Sequence, residues 1–112
     1  MQRRTKRKGI VRMSGRRAGV IEETDDGFRF TYDTGYLADL DSFPVSLTLP
    51  LRAEPYCSPH LFSYFYGMLA EGSLEQLQCR KLRIDPEDVF ARLLQTTGGD
   101  VIGCVNVEPA EA

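Results

Sequence analysis

The chain has 112 residues, of which 42% are hydrophobic and 27% are charged, and its formal net charge is −2. These values are typical of one globular domain and exclude a disordered chain, and the length leaves no room for a second domain. A domain of this size buries roughly two-thirds of the surface that its unfolded chain exposes, so it can be stable without disulfides or a metal.

The positive charge is concentrated at the N-terminus. Residues 1–17 hold eight of the fourteen basic side chains and no acidic one, so the rest of the chain carries six bases against sixteen acids. We interpret residues 1–9 as a flexible basic arm, 10–109 as the single domain and 110–112 as a C-terminal tail. The arm could touch nucleic acid or an acidic partner, but without interleaved aromatic residues we favour a solvated terminus over a weak DNA contact.

The cysteines and the single histidine indicate neither disulfides nor a metal site. Cys57, Cys79 and Cys104 form no C-x-x-C pair, and His60 is the only histidine. We therefore expect buried, reduced thiols, no metal, no cofactor and a cytoplasmic location. No signal peptide or membrane span is predicted, because polar residues and a proline interrupt the longest apolar stretch, 45–51.

Three β-strands are predicted in the first third of the chain, at residues 10–13, 19–23 and 28–32. In the third, aromatic residues alternate with polar ones, and this period of two is typical of a half-buried strand. Asp25-Asp26-Gly27 predicts a hairpin between the second and third strands, because Asp-Gly provides the positive φ that tight turns need. The three segments together predict a meander.

A fourth strand is predicted over residues 45–51, after a turn of helix within 34–42. Its proline neighbours suit the ends or the edge of a sheet, where no ladder donor is lost. The prediction depends on alternating apolar residues, which are Val45, Leu47, Leu49 and Leu51.

Three helices are predicted in the second half. The first begins at Ser58-Pro59, an N-cap followed by proline at the first helical position, and runs to about Leu69. The second begins at Ser73, where Ser73 and Gln76 form a capping box. Its buried side is predicted to consist of Leu74, Leu77 and Leu82.

The third helix is predicted to begin at Asp85-Pro86, because an acidic first turn complements the helix dipole. It ends at Gly98-Gly99, and a last strand follows at 102–107. Its buried stripe is predicted to be Val89, Phe90, Leu93 and Leu94. Because the strands and helices do not alternate, the fold class is α+β, a mainly antiparallel sheet of about five strands with about three helices packed on one face.

No catalytic motif is present, so the chain is not expected to be an enzyme. His60 is predicted to face solvent, and the carboxylates at 25–26 and 87–88 are explained by turn and dipole chemistry. Neither a phosphate-binding loop nor the kinase motifs occur. The functional candidates that remain are surface residues. We interpret Tyr64 and Tyr66 as partner contacts, with the alternative that at least one of them covers the domain's own core.

Four ordered blocks carry a resemblance to a known family. They are PVSLTLPL at 44–51, LFSYFYGMLAEG at 61–72, DVFARLL at 88–94 and GDVIGCV at 99–105. In this order they resemble the N-terminal subdomain of HipA-type serine/threonine kinase toxins, over roughly residues 18–109. Four ordered blocks are much more specific than any one motif.

The resemblance implies a role as a HipS-like antitoxin that binds and inhibits a separately encoded HipA/HipT-like kinase, with a HipB-like helix-turn-helix protein as a further partner. The family usually has Leu-Pro-Glu-Gly, often followed by a large aromatic residue, whereas this chain has Ala70 and then Ser73, which argues against inhibition by an inserted aromatic ring. Alternatives are an assembly subunit that completes a split kinase, or a nucleic-acid contact through the basic arm. The expected partner-binding residues are Tyr64, Tyr66, Ala70, Glu71, Gly72, Ser73 and Leu74.

Overall fold

A computed structural model describes residues 6–97 and 105–110. The strands form one five-stranded antiparallel sheet, and the helices are short. The elements are β1 (Lys8–Met13), β2 (Arg16–Thr24), β3 (Gly27–Tyr32), α1 (Thr34–Ala38), β4 (Tyr56–Ser58), α2 (Ser63–Tyr66), α3 (Gly72–Leu82), α4 (Val89–Thr96) and β5 (Val105–Pro109). The strand order in the sheet is β4-β3-β2-β1-β5.

The predicted meander of three strands is confirmed, together with its hairpin at residues 25–27. Gly27 has a φ of 150°. A Cβ on this glycine would collide with the carbonyl oxygen of Ser58, so the close approach of β4 also requires glycine here. The turn between β1 and β2 is made by Ser14 and Gly15, both with positive φ, a combination typical of a tight two-residue hairpin.

One face of the sheet packs against helices and forms the core. The pairs Ile21↔Phe30 and Val11↔Val107 lie in register across neighbouring strands, and all four side chains are fully buried. Phe65 of α2 packs on Phe30 with ring centroids 5.8 Å apart. Phe90 of α4 packs on Phe28 at 5.6 Å in the same way. The predicted fold class, α+β with an open antiparallel sheet, is therefore confirmed.

The prediction of a strand over 45–51 is wrong. Val45 and Leu49 are buried, but Leu47 between them is 95% exposed, because the backbone turns and the N–H of Leu49 donates to the carbonyl of Ser46 at 3.0 Å. The hydroxyl of Tyr32 donates to the carbonyl of Leu49 and accepts the N–H of Val45. A tyrosine side chain thus satisfies the backbone groups that a ladder would otherwise satisfy, and the fourth strand is β4.

The first long helix, predicted over 58–69, is reduced to the four residues of α2. Ser58 ends β4 and pairs with Phe28. Its hydroxyl accepts the N–H of His60 at 3.2 Å, so it caps a turn and not a helix. The residue before a proline is disfavoured in helical conformation, and here Ser58 remains extended and pairs with β3.

The second helix exists as α3, but its predicted details are wrong. It begins at Gly72, and the preceding Glu71 makes no side-chain capping bond, so there is no capping box at Ser73 and Gln76. The buried side chain of this helix is Cys79. The leucines predicted to be buried are exposed, at 53% for Leu74, 52% for Leu77 and 47% for Leu82.

The third helix begins three residues later than predicted. Asp88, not Asp85, caps α4 by accepting the N–H of Ala91 at 3.1 Å, while Asp85 accepts the N–H of Glu87 in the preceding turn. The buried stripe of Phe90, Leu93 and Leu94 is confirmed, with Val89 half-buried. The predicted stop at Gly98-Gly99 and the first residues of the predicted last strand lie outside the described residues, and β5 covers the remainder of that strand.

The folded domain extends further toward the N-terminus than the predicted boundary after residue 9. β1 begins at Lys8, and Arg7 forms ion pairs with Glu23 at 2.7 Å and with Asp88 at 2.9 Å. The guanidinium of Arg7 also lies 5.5 Å from the centre of the Phe90 ring. The end of the predicted arm therefore packs against both β2 and the start of α4.

Candidate functional site

A cleft of about 320 Å³ lies between the end of α2, the following loop, the first turn of α3 and one side chain of α4. Four of the seven predicted partner-binding residues line it together, which are Tyr66, Ala70, Glu71 and Gly72. The cleft is completed by Gly67, Leu69, Glu75 and Arg92. The structure thus brings together the centre of the segment that was predicted to bind a partner.

The other three predicted residues lie outside the cleft, in different settings. Tyr64 is half-buried and packs edge-on against Phe65, with ring centroids 5.5 Å apart, so it fits the alternative of a side chain that covers the core. Ser73 and Leu74 are exposed on the first turn of α3. Tyr66, by contrast, is 55% exposed at the edge of the cleft and is available to a partner.

Arg92 positions the loop of the cleft. It is only 7% exposed, and its guanidinium donates to the carbonyl of Ala70 at 2.8 Å and to that of Pro86 at 3.2 Å. Glu75 of α3 lies 3.6 Å away and balances the charge. Sequence reasoning missed this residue, because an arginine beside the apolar stripe of an amphipathic helix is normally solvated.

The loop backbone has a defined path into α3. The N–H groups of Met68 and Leu69 donate to carbonyls of α2, each at 3.1 Å, and the side chain of Leu69 is buried. Gly72 then adopts a φ of 65°, a conformation that glycine tolerates better than other residues. Arg92 and Leu69 therefore hold a preformed loop whose outer side chains face solvent.

The cleft contains acidic and aromatic side chains but no arrangement of a nucleophile beside a base. His60 is exposed in the turn after β4, and Cys57 is exposed on β4, which corrects the expectation of a buried thiol there. Cys79 is buried as expected, and Cys104 lies outside the described residues. Within the described ranges, no cluster of three or more potential ligands could hold a metal ion. Nor is any helix there long and apolar enough to cross a membrane.

Most of the basic side chains from Lys6 to Arg17 are neutralised by the domain itself. The five that form ion pairs within the described part of the chain are Lys6 with Asp25, Arg7 with Glu23 and Asp88, Arg12 with Glu108, Arg16 with Asp39 and Arg17 with Asp33. The hydrogen bond from Lys6 lowers the pKa of Asp25. These pairs compete with any phosphate contact, so the alternative of a nucleic-acid surface gains no support.

Comparisons with known proteins agree over almost the whole chain. Residues 9–108 match the family model described as the HipA N-terminal domain. A solved structure of the N-terminal domain of HipA toxin is 32% identical, with a TM-score of 0.71, and the match covers 99% of this chain and 98% of that one.

Two relatives from bacteria differ in length. An uncharacterized protein of Haemophilus influenzae is 33% identical over 102 residues, which are 91% of this chain and 92% of the relative. A putative kinase of Sinorhizobium fredii, Y4mE, is 34% identical over 98 residues, which are 87% of this chain but 23% of the kinase. The matched region is the N-terminal domain and not the catalytic part of a HipA-type kinase. With a family model and a solved domain both matched along nearly its full length, the chain belongs to the HipA N-terminal domain family.

Proposed function

We propose that this chain is a non-catalytic regulatory subunit that binds a HipA/HipT-like serine/threonine kinase and inhibits it, as the antitoxin of a bacterial toxin–antitoxin system. The observation that carries the proposal is the match of residues 9–108 to the HipA N-terminal domain, which is not the catalytic part of a HipA-type kinase. A HipB-like DNA-binding protein would be a further member of such a system.

The proposed contact is the cleft loop, which is the segment 67–71 between α2 and α3 together with the side chains beside it. Tyr66, Glu71 and the start of α3 face solvent on a backbone that Arg92 already holds in place, so little conformational entropy is lost when a partner binds. Docked near the nucleotide-binding lobe of the kinase, the domain would bind an inactive conformation better than an active one. A difference in affinity of this kind shifts the kinase population toward the inactive state.

A second candidate function is an assembly subunit that completes a split kinase without inhibiting it. The observation that favours it is the relation to Y4mE, in which a region like this chain makes up 23% of a protein named a putative kinase. A domain that belongs to the kinase in one protein can support the kinase fold from a separate chain in another. The two candidate functions predict the same complex but opposite effects on its activity.

Autophosphorylation of the partner kinase distinguishes the two functions. With saturating amounts of this chain, inhibition predicts that phosphate incorporation falls at least about tenfold. Unchanged or higher incorporation in a complex demonstrated by size-exclusion chromatography would support the assembly subunit. Absence of any complex would contradict both.

A pair of aromatic substitutions tests the contact itself. Tyr66→Ala should weaken binding to the kinase by about tenfold, or roughly 1.4 kcal/mol, because aromatic side chains contribute strongly to interfaces. Phe43→Ala is the matched control, since Phe43 is also largely exposed but lies outside the cleft. Equal affinity of both variants and the unchanged chain would contradict the proposed site.

A further inference from the structure

The outer face of α3 carries exposed leucines that no part of the described domain covers. Leu74 and Leu77 lie one turn apart on this face, each with about half of its surface exposed, and Leu82 at the end of the helix is exposed to a similar degree. Exposed apolar surface of this kind gains free energy when a partner removes it from water. Contiguous apolar residues bordered by charges are typical of interaction surfaces.

Three cations adjoin these leucines at the C-terminal end of α3. They are Arg80, Lys81 and Arg83, and all three are exposed. Within residues 6–97 and 105–110, none of the three forms an ion pair with a carboxylate. All three cations complement the dipole at the end of their helix, but the dipole does not explain the exposed leucines.

The other described arginines differ, because each is already engaged inside the domain. Arg52 donates to the carbonyls of Glu54 and Pro55 and stacks on Tyr56 at 3.7 Å. The arginines that pair with carboxylates are Arg7, Arg12, Arg16, Arg17, Arg29 and Arg92. Among the arginines in residues 6–97, those without a described partner are thus gathered at one end of one helix.

We propose that the outer face of α3, defined as Leu74, Leu77 and Lys81 with Arg80 and Arg83 at its end, docks into an apolar groove with an acidic rim on the partner kinase. The inference rests on the proposed function and extends its site. Gly72 and Glu75 of the same helix line the cleft, so the proposed surface begins beside it. An amphipathic helix in a groove buries its leucines at the centre and pairs its cations at the rim.

Charge and hydrophobicity together favour a protein over the two other anionic partners. A phosphate backbone would pair with the cations but leave the leucines in water. An anionic membrane would accept both, but Glu71, which is exposed just before the first turn of α3, would be repelled by its surface. An apolar groove with carboxylates only near the C-terminal end of α3 would bury the leucines, pair with the cations and avoid repulsion near the start of the helix.

The test measures the affinity of the full chain for the kinase by calorimetry. Leu74→Ser combined with Leu77→Ser should weaken binding at least about tenfold, with only a small decrease in melting temperature because about half of each side chain is exposed. Leu40→Ser combined with Leu47→Ser is the matched control, since these leucines are even more exposed, at 99% and 95%, but lie in another loop. This control should change affinity less than about threefold.

Charge reversal tests the acidic rim separately. Arg80→Glu combined with Lys81→Glu should slow association and reduce its dependence on salt, because opposite charges accelerate encounter.

Two outcomes would contradict the inference on α3 and leave the proposed function intact. The α3 serine variant could bind the kinase as well as the unchanged chain does, or the control variant could lose as much affinity as the α3 variant. If the unchanged chain does not bind the kinase, both the inference and the proposed function are wrong. Binding of α3 to vesicles containing phosphatidylserine, or to DNA, in place of the kinase would also overturn the inference.

Discussion

Tyr32 shows how one hydroxyl determines the path of a loop. It lies in the core, stacks on Tyr36 with ring centroids 6.1 Å apart, and hydrogen-bonds to the backbone on both sides of the turn at 46–49. Burial disfavours the phenolate and raises the pKa of Tyr32 from 10.0 to about 12. The folded state therefore favours the protonated form of this hydroxyl, which donates to the carbonyl of Leu49.

Stability should decline at alkaline pH because of Tyr32. In the unfolded chain its hydroxyl ionises near pH 10, whereas the folded chain retains the proton to about pH 12. The unfolding free energy should be unaffected by this group below pH 10 and fall between pH 10 and pH 12. Urea unfolding at several pH values measures the decline.

The Tyr32→Phe variant is the control for that decline. It should be less stable at neutral pH by about 1–3 kcal/mol, because the N–H of Val45 and the carbonyl of Leu49 lose their partner. Above pH 10 it should lose stability less steeply than the unchanged chain. Parallel declines in both proteins would show that Tyr32 does not titrate in this way.

At the scale of elements, α4 illustrates how two similar aspartates have different roles. Asp88 caps the helix and also accepts two hydrogen bonds from Arg7, at 2.9 and 3.0 Å. Asp85 accepts one N–H within the preceding turn. The helix therefore begins at the aspartate that has both a local and a long-range role.

Substitutions at the two positions should differ in effect. Asp88→Ala should destabilise the domain by about 1–2 kcal/mol through the cap alone, with a further loss from Arg7. Asp88→Asn keeps the cap and should recover part of that loss, while Asp85→Ala should cost less than Asp88→Ala. Chemical denaturation measures all three. A larger effect at Asp85 than at Asp88 would contradict the observed start of α4.

Across the whole molecule, two arginines connect segments that are distant in sequence. Arg7 links the N-terminus to β2 and to α4, and Arg92 links α4 to α3, to the cleft loop and to the turn at Pro86. Both side chains lie on the helical side of the sheet. They stabilise the packing of these segments and, for Arg92, the shape of the proposed binding surface.

Arg92→Met should therefore affect stability and binding together. Removal of the guanidinium leaves the carbonyls of Ala70 and Pro86 without this partner, at a cost of about 2–3 kcal/mol in the free energy of unfolding. Hydrogen exchange should accelerate at residues 68–72. Glu75→Gln, which removes only a partly exposed ion pair, should cost less than about 1 kcal/mol. Equal effects of the two variants would mean that the carbonyl contacts contribute little.

The sequence by itself determined the meander of β1 to β3, the presence of α3 and α4, the stripe of Phe90, Leu93 and Leu94, and the family. These features depend on neighbours a few residues apart: alternation along a strand, helical spacing and glycine in tight turns. The family resemblance depends on ordered blocks that are themselves local. The centre of the proposed site, from Tyr66 to Gly72, was also named from one of these blocks.

Only the tertiary structure decided which part of 44–69 forms a strand, which side of α3 is buried and how the cleft is held. The pairing of Phe28 with Ser58 joins residues far apart in the chain and replaces the expected helix start, while Tyr32 replaces the expected fourth strand with a turn. The sequence pattern of leucines at helical spacing is the same whether they face the core or solvent. Likewise, the sequence does not distinguish a buried arginine from a solvated one. Local pattern contains no information on what lies across the core, and packing decides such cases.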